Sequence, residues 1–366
     1  MSQRLLEANQ LKVAAAPAVA DRIRLLQDRA VLLARLGRVA EAELTLTDAE
    51  QQMPADAPAA LRLRFAYVRA IDAYFSKRFS DAQRKMHDTL KEARLSNEPK
   101  LVSECESALA LFMQREGDVR AALALARSVL ANSEATLEAR YRASLAMASL
   151  HQDAHDHENA YRLYRETYAV VKDLNDEIAM ASSLQRAALA KAAFARQTAG
   201  SGELDKRSLD EAIEAIKQGI DYAEQVPDGP ETTLDYLLLA EMHVLQKRYK
   251  LALDLYNFHL PQCEGEGFLH EVTAAMADRA HCLLQLGRID DGYAEAVASL
   301  RRLDEAAPAD IRAIVHENMA AALDSVHQSS QAGQHRTMAQ AAWATHRHEQ
   351  REARRLLHET TTTTLH

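Results

Sequence analysis

Apolar residues recur three and four positions apart along almost the whole chain, as in Leu25, Leu26, Leu32, Leu33 and Leu36, with Leu44 and Leu46 after a polar break. That spacing puts them on one face of a helix. The breaks are short and rich in turn residues: Leu36-Gly37-Arg38, Ser76-Lys77-Arg78, Glu116-Gly117-Asp118, Gln246-Lys247-Arg248 and Leu286-Gly287-Arg288. Glycine tolerates the left-handed backbone that ends a helix, so each break reads as a stop signal. The pattern therefore predicts helix, turn, helix, repeated many times, with no segment that reads as a strand.

A second regularity lies over the first. Ala30 and Ala42 stand twelve apart, and the spacing returns about every forty residues in Ala70 and Ala82, Ala110 and Ala122, Ala148 and Ala160, Ala240 and Ala252, Ala280 and Gly292, and Ala320 and Ala332. Between the fourth and fifth of these pairs Ala188 and Ala212 stand twenty-four apart. Helices whose axes cross at about 8 to 10 Å need a side chain no larger than a methyl group at the closest point. Two small residues per unit supply that, which makes the chain an array of hairpins and not one globular core.

The unit resembles the tetratricopeptide repeat. Gly37, Ala42, Leu46, Ala49 and Pro54 follow that family's order of turn glycine, small, large, small and proline. Later units keep the small positions and carry Met86, Tyr164, Ile216 and Tyr256 at the place of Leu46, while the proline is mostly lost. The forty-residue period exceeds the family's usual length of about 34, so each unit is expected to hold helices about one turn longer. The resemblance covers roughly residues 20 to 340. It implies an all-α, right-handed α-α superhelix of about eight hairpins with a long C-terminal helix, the first helix of each hairpin lining a concave groove.

Three segments follow: a lead-in or cap helix over 1–19, the solenoid over 20–338, and a C-terminal helix and tail over 339–366. The unit with the wide spacing is expected to run its first helix from about Asp176 to Gln197, then a loop over 198–207. There Ser208-Leu209-Asp210-Glu211 restarts a helix as a capping box. The loop reads as a tolerated surface insertion or as a recognition loop or hinge. In the C-terminal segment Glu352 is placed to pair with Arg355, and Ala339, Trp343, Ala353 and Leu357 form a narrow apolar seam suited to an end cap or to a homodimer helix. This stretch also resembles the signalling helix that joins bacterial tetratricopeptide sensor regions to a diguanylate cyclase domain of the GGDEF type. That resemblance implies an input module, and none of the cyclase's catalytic residues are present.

Composition narrows the functional classes. With 53 acidic against 44 Lys and Arg residues the net charge is −9, which supplies no basic field for nucleic acid. Three cysteines, Cys105, Cys263 and Cys282, indicate no disulfide framework and suit a reducing cytoplasm. No apolar run reaches the length of a membrane span.

Motifs for chemistry fail for want of a member. His270-Glu271 and His316-Glu317 open a zinc-protease pattern, but Ala274 and Ala320 stand where its second histidine is required. Gly265-Glu266-Gly267 is too short for a dinucleotide loop, and neither a phosphate-cradling loop nor a nucleophile elbow occurs. The turn His151, Asp153, His155, Asp156, His157, Glu158 reads as a hydrated turn, with a metal site as the alternative. Cys263, His270, His281 and Cys282 match no standard zinc spacing. No enzyme, cofactor or metal is expected.

If the resemblance holds, the groove residues follow from offsets to the first alanine of each unit: Arg24, Gln27, Arg64, Tyr67, Tyr74, Gln114, Arg142, Gln152, Gln185, Glu241 and His281. With Glu317 and Asp324, which the same offsets also give, they make the N-terminal half basic and amide-rich and the C-terminal half acidic. Such a lining suits an extended peptide or protein segment, whose backbone needs hydrogen-bond partners. The expected function is a non-catalytic peptide- or protein-binding module, the sensory or regulatory input of a bacterial signalling protein. A passive scaffold that uses the convex face or the terminal helix is the alternative.

Overall fold

The computed structural model describes residues 2–200, 206–226, 230–263, 268–304 and 306–363, and within them the chain forms seventeen helices and no strand. Helix α1 (Ser2–Ala15) leads into eight hairpins. The first four are α2 (Val19–Arg35) with α3 (Val39–Gln51), α4 (Ala59–Phe75) with α5 (Phe79–Leu95), α6 (Pro99–Glu116) with α7 (Val119–Ala131), and α8 (Leu137–Asp153) with α9 (His157–Leu174). The last four are α10 (Glu177–Gly200) with α11 (Lys206–Gln225), α12 (Thr233–Leu245) with α13 (Tyr249–Cys263), α14 (Leu269–Gln285) with α15 (Ile289–Arg302), and α16 (Ala309–Ser325) with α17 (Ser329–Thr363).

The small residues sit where the sequence pattern requires closeness. Ala42, Ala70, Ala82, Ala110, Ala122, Ala148, Ala160, Ala240, Ala252 and Ala280 have no exposed surface. The large position is equally sealed: Leu46, Met86 and Ile216 are wholly buried, and Tyr164 and Tyr256 nearly so. At Gly292, where most units carry alanine, an added Cβ would lie 2.7 Å from Leu284 Cδ2, so this hairpin closes more tightly than the others.

First helices pack on first helices in two runs, α2–α4–α6–α8 and α10–α12–α14–α16. They form the inner layer, and the second helices lie outside it. An ion pair of 2.7 Å between Arg35, the last residue of α2, and Asp176, just before α10, ties the two runs across the inner face. The C-terminal end of α2 therefore lies beside the start of α10.

The turn between paired helices needs one left-handed residue. Gly37, Gly117 and Gly287 take it with φ between 72° and 79°, but Lys77, Lys247 and His327 take it as well, with φ of 60° to 62°. A side chain in that region costs about 1 kcal/mol or more, so Lys77→Gly and Lys247→Gly are each expected to stabilise their hairpins by about 1 kcal/mol. Urea unfolding followed by circular dichroism checks this.

Three expectations are corrected. Helix α10 runs on to Gly200 and α11 begins at Lys206, so only 201–205 of the expected loop 198–207 lie between them, outside the described residues. Ser208 is then the third residue of α11 and not its cap, and Glu211 pairs with Lys191 and Arg207. Helix α17 begins at Ser329, inside the segment assigned to the solenoid, because the second helix of hairpin eight and the C-terminal helix are one continuous element.

The seam of α17 is used within the chain. Ala339 and Leu357 are buried, with Leu357 and Ala353 packed into the cluster that contains Leu150 and Ala154 of hairpin four. The helix thus turns back over the array, and of the apolar seam offered for a homodimer Ala339 and Leu357 are already covered while Trp343 and Ala353 stay half-buried. Glu352 and Arg355 pair at 2.7 Å, as their spacing implies.

Candidate ligand-binding groove

Equivalent positions of α2, α4, α6 and α8 bring one set of side chains together on the inner layer. Six residues before the first alanine stand Arg24, Arg64, Glu104 and Arg142; three before it stand Gln27, Tyr67 and Ser107. Arg64 donates to Asp28 at 2.5 Å and lies 3.7 Å from Glu104. The Arg142 guanidinium lies 5.9 Å from the centre of the Tyr67 ring, within the range of a cation–π contact. Its Nε donates to Ser107 Oγ at 3.1 Å, and its Nη1 is 3.8 Å from Glu138.

The remaining nitrogen of Arg142, Nη2, is buried and has no hydrogen-bond partner. A guanidinium with one edge unsatisfied among buried neighbours is a strong donor waiting for an acceptor, since charge-assisted bonds gain strength where water is scarce. Burial holds the Tyr67 phenol neutral by raising its pKa well above the usual value, with Glu104 and Glu138 acting in the same direction and Arg142 against them. Burial likewise raises the Glu104 carboxyl, while Arg142 and Arg64 lower it.

A second set lies on the other run. Arg196 of α10 pairs with Glu241 of α12. Asp278 of α14 accepts from the Tyr256 hydroxyl and from Asn318 Nδ2, each at 3.3 Å. Burial pushes the Asp278 carboxyl up to about 7; the charge of Glu241 adds to the rise, while Arg196 opposes it. Asp310 of α16 also acts on Arg196. Three carboxyls thus lie around one guanidinium, so this part of the inner layer is acidic. The N-terminal half is closer to balance, because Asp28, Glu104 and Glu138 offset Arg64 and Arg142.

The eleven predicted residues therefore separate. Arg64, Tyr67 and Arg142 come together, and Glu241 belongs to the acidic set. Gln27 is fully buried with both amide atoms unpartnered, so it presents no groove surface, contrary to the prediction. Arg24 is exposed. Tyr74 stacks on Phe112 at 4.4 Å and lines a small hollow with Phe79 and Arg115, away from the Arg142 set. Gln114 donates to Asp153 at 2.6 Å and Gln185 to Asp235 at 2.6 Å, each bracing two hairpins. Burial pushes Asp235 up to about 6. Gln152 is half-buried with its carbonyl unpartnered, and His281 lies edge-on to Tyr249.

Glu104, Ser107, Arg196 and Asp278 were missed. Glu104 and Ser107 occupy the offsets of Arg64 and Tyr67 and were legible by the same count. Arg196 and Asp278 stand at other offsets, eight after Ala188 and two before Ala280, and only packing brings them to Glu241. Cys105, Cys263 and Cys282 are all buried, and burial raises the thiols of Cys105 and Cys282 to about 12, so they pack as small apolar groups. Among the described residues no three His, Cys, Asp or Glu side chains gather as metal ligands. Gly265-Glu266-Gly267 lies outside them.

No family model matches the chain. No curated protein matches it either. Solved structures do. A Rap protein in complex with competence and sporulation factor superposes with a TM-score of 0.57 at 11% identity, covering 91% of this chain and 99% of that one. Apo RapI gives 0.52 at 11% identity, with 80% and 99% covered. A tetratricopeptide repeat protein from Parabacteroides merdae gives 0.48 at 12% identity, with 81% and 98% covered. The fold is a tetratricopeptide-like solenoid. At these identities the likeness is one of fold, and among the described residues no helix is long and apolar enough to cross a membrane.

Proposed function

We propose that the inner layer of this solenoid binds an extended peptide or protein segment, without catalysis, through Arg142, Tyr67 and Arg64. The observation that carries the reading is the Arg142 guanidinium, whose side chain stays 17% exposed where Gln27 is sealed, held by Ser107 beside the Tyr67 phenol with its Nη2 unsatisfied. A backbone carbonyl or a carboxylate is the group that would satisfy it, and an extended segment offers the first at every residue. The Rap protein whose fold this chain shares was solved in complex with competence and sporulation factor, which supports a binding role for the scaffold. Each hairpin touches mainly its neighbours, so a bound segment spanning several of them would alter the pitch, and that would make the module the input of a signalling protein, as the GGDEF-linker resemblance also suggests.

A random-peptide phage library panned against the chain, and against the Arg64→Ala, Tyr67→Ala, Arg142→Ala variant, tests the reading. Clones enriched on the former and not on the latter support it; equal enrichment on both counts against it.

A second reading, an assembly scaffold using the outer layer, is favoured by Leu44, Leu95 and Phe258. These stand on second helices with two thirds or more of their surface exposed. Binding that survives the triple substitution and is lost with Leu44→Glu and Phe258→Glu would establish it.

A further inference from the structure

The distal half of α17 leaves hairpin eight and lies on α7 of hairpin three and the turn of hairpin four. Its apolar anchor is Leu357, buried, and Ala353, half-buried, packed into the cluster that includes Leu123 of α7 and Leu150 and Ala154 of hairpin four. Its polar tie is a hydrogen bond of 2.6 Å from Arg354 Nη2 to the carbonyl of His155. Beside that tie the His155 and His346 rings meet edge to face at 5.2 Å, and His157 meets His155 at 5.5 Å. Three imidazoles therefore lie where the strap meets the array.

We propose that the distal half of α17 is an acid-released strap, docked on hairpins three and four while His155 is neutral and lifted when His155 takes up a proton.

The surrounding charges set the direction. His155 is faced by His346 and Arg354 of α17 and by Asp310 of α16. His157 is faced by His155, by Arg354, by Arg196 of α10 and by Asp156. Asp156 is already engaged by His151 at 2.8 Å and by Asn159 at 2.9 Å. A proton on His155 would thus add a positive charge beside Arg354 and His346, with Asp310 the carboxylate that offsets it. His346 also meets Gln350 Nε2 at 2.8 Å through its own Nε2, which fixes the ring on the docked helix.

Burial, and after it the charge of His346, pulls His155 down to about 4 from an ordinary 6.5. His157 is pulled to about 4 by burial and then by His155; much of its cover comes from hairpins four and five, so it contributes less to release. The sign follows from linkage. A lifted strap returns His155 toward its ordinary value, so between pH 6.5 and about 4 the lifted state binds more protons and gains on the docked one as pH falls. The docking equilibrium then falls about tenfold per pH unit for each proton taken up, and it levels off at either end of that window.

Nitroxide labels at Arg351→Cys on the strap and Glu158→Cys on hairpin four, both exposed positions, report docking as a pulsed-EPR distance; the three native cysteines are buried and escape labelling. We expect one narrow distance at pH 7.5 and a longer, broad distribution at pH 5.0, with helicity unchanged. His155→Asn with His346→Gln should keep the narrow distance at both pH values. Asparagine suits position 155 because its φ of 56° is left-handed. A narrow distance in the unsubstituted protein at pH 5.0 would overturn the proposal, and so would a doubly substituted protein that still releases at the same pH. Should that variant not fold, single His346→Gln, on the regular helix, must move the release to lower pH; an unmoved release would count equally against it.

Discussion

Asp278→Asn is expected to make the solenoid more stable at pH 8 by about 2–3 kcal/mol, an advantage that shrinks as pH falls toward 5. Asp278 lies in the acidic part of the inner layer with Glu241 and Asp310 nearby and Arg196 as the cation among them. Its pKa, raised from 3.8 to about 7, means that the folded chain holds the proton more tightly than the unfolded one. The stability linked to that proton is present below the ordinary aspartate value and is lost as pH rises through about 7. Asparagine keeps the neutral form at every pH, and its carbonyl oxygen still accepts from Tyr256 or Asn318. Calorimetric or urea unfolding of both proteins at pH 5, 7 and 8 gives the answer. An asparagine variant less stable at pH 8, or one whose advantage does not change with pH, would show that the carboxylate is charged and well compensated in the fold.

The second large effect is on binding. Arg142→Ala with Tyr67→Ala is expected to weaken a library-selected peptide by at least about thirtyfold, since a buried Arg and Tyr pair at the centre of a contact costs 2 kcal/mol or more when truncated. Arg142→Lys should recover only part of the loss. A lysine ammonium cannot bond Ser107 and present a second edge to the ligand in one plane, whereas the guanidinium does both. Fluorescence anisotropy with a labelled peptide measures the three affinities. A lysine variant as good as the unsubstituted protein would mean that positive charge alone matters and that the free Nη2 is not the recognition group.

The hairpins were legible because each carries its own punctuation. Ala30 and Ala42, or Ala70 and Ala82, demand close contact at a fixed separation, and Gly37, Gly117 and Gly287 mark the turns with the backbone that only glycine adopts freely. Lys77 and Lys247 keep the register without the glycine, since the neighbouring hairpins fix where the turn must fall. The site was less legible. Arg64 and Arg142 share an offset and converge with Tyr67, but Gln27 has the same offset as Tyr67 and is sealed inside. An offset fixes the direction of a side chain from its own helix, whereas the next hairpin decides whether anything covers it. The return of α17 onto hairpin four could not be read at all, because Leu357 and Leu150 are far apart in sequence and meet only after the whole array has curved.

The central claim is that a peptide lies on the inner layer at Arg64, the most exposed member of the Arg64, Tyr67 and Arg142 set. A photoreactive benzoylphenylalanine placed at Arg64, and in a separate protein at Leu44 on the outer layer, should be irradiated with a library-selected peptide and the adducts weighed by mass spectrometry. The account predicts adducts from position 64 and none from position 44; adducts from position 44 alone would contradict it and move the binding surface to the outside of the solenoid.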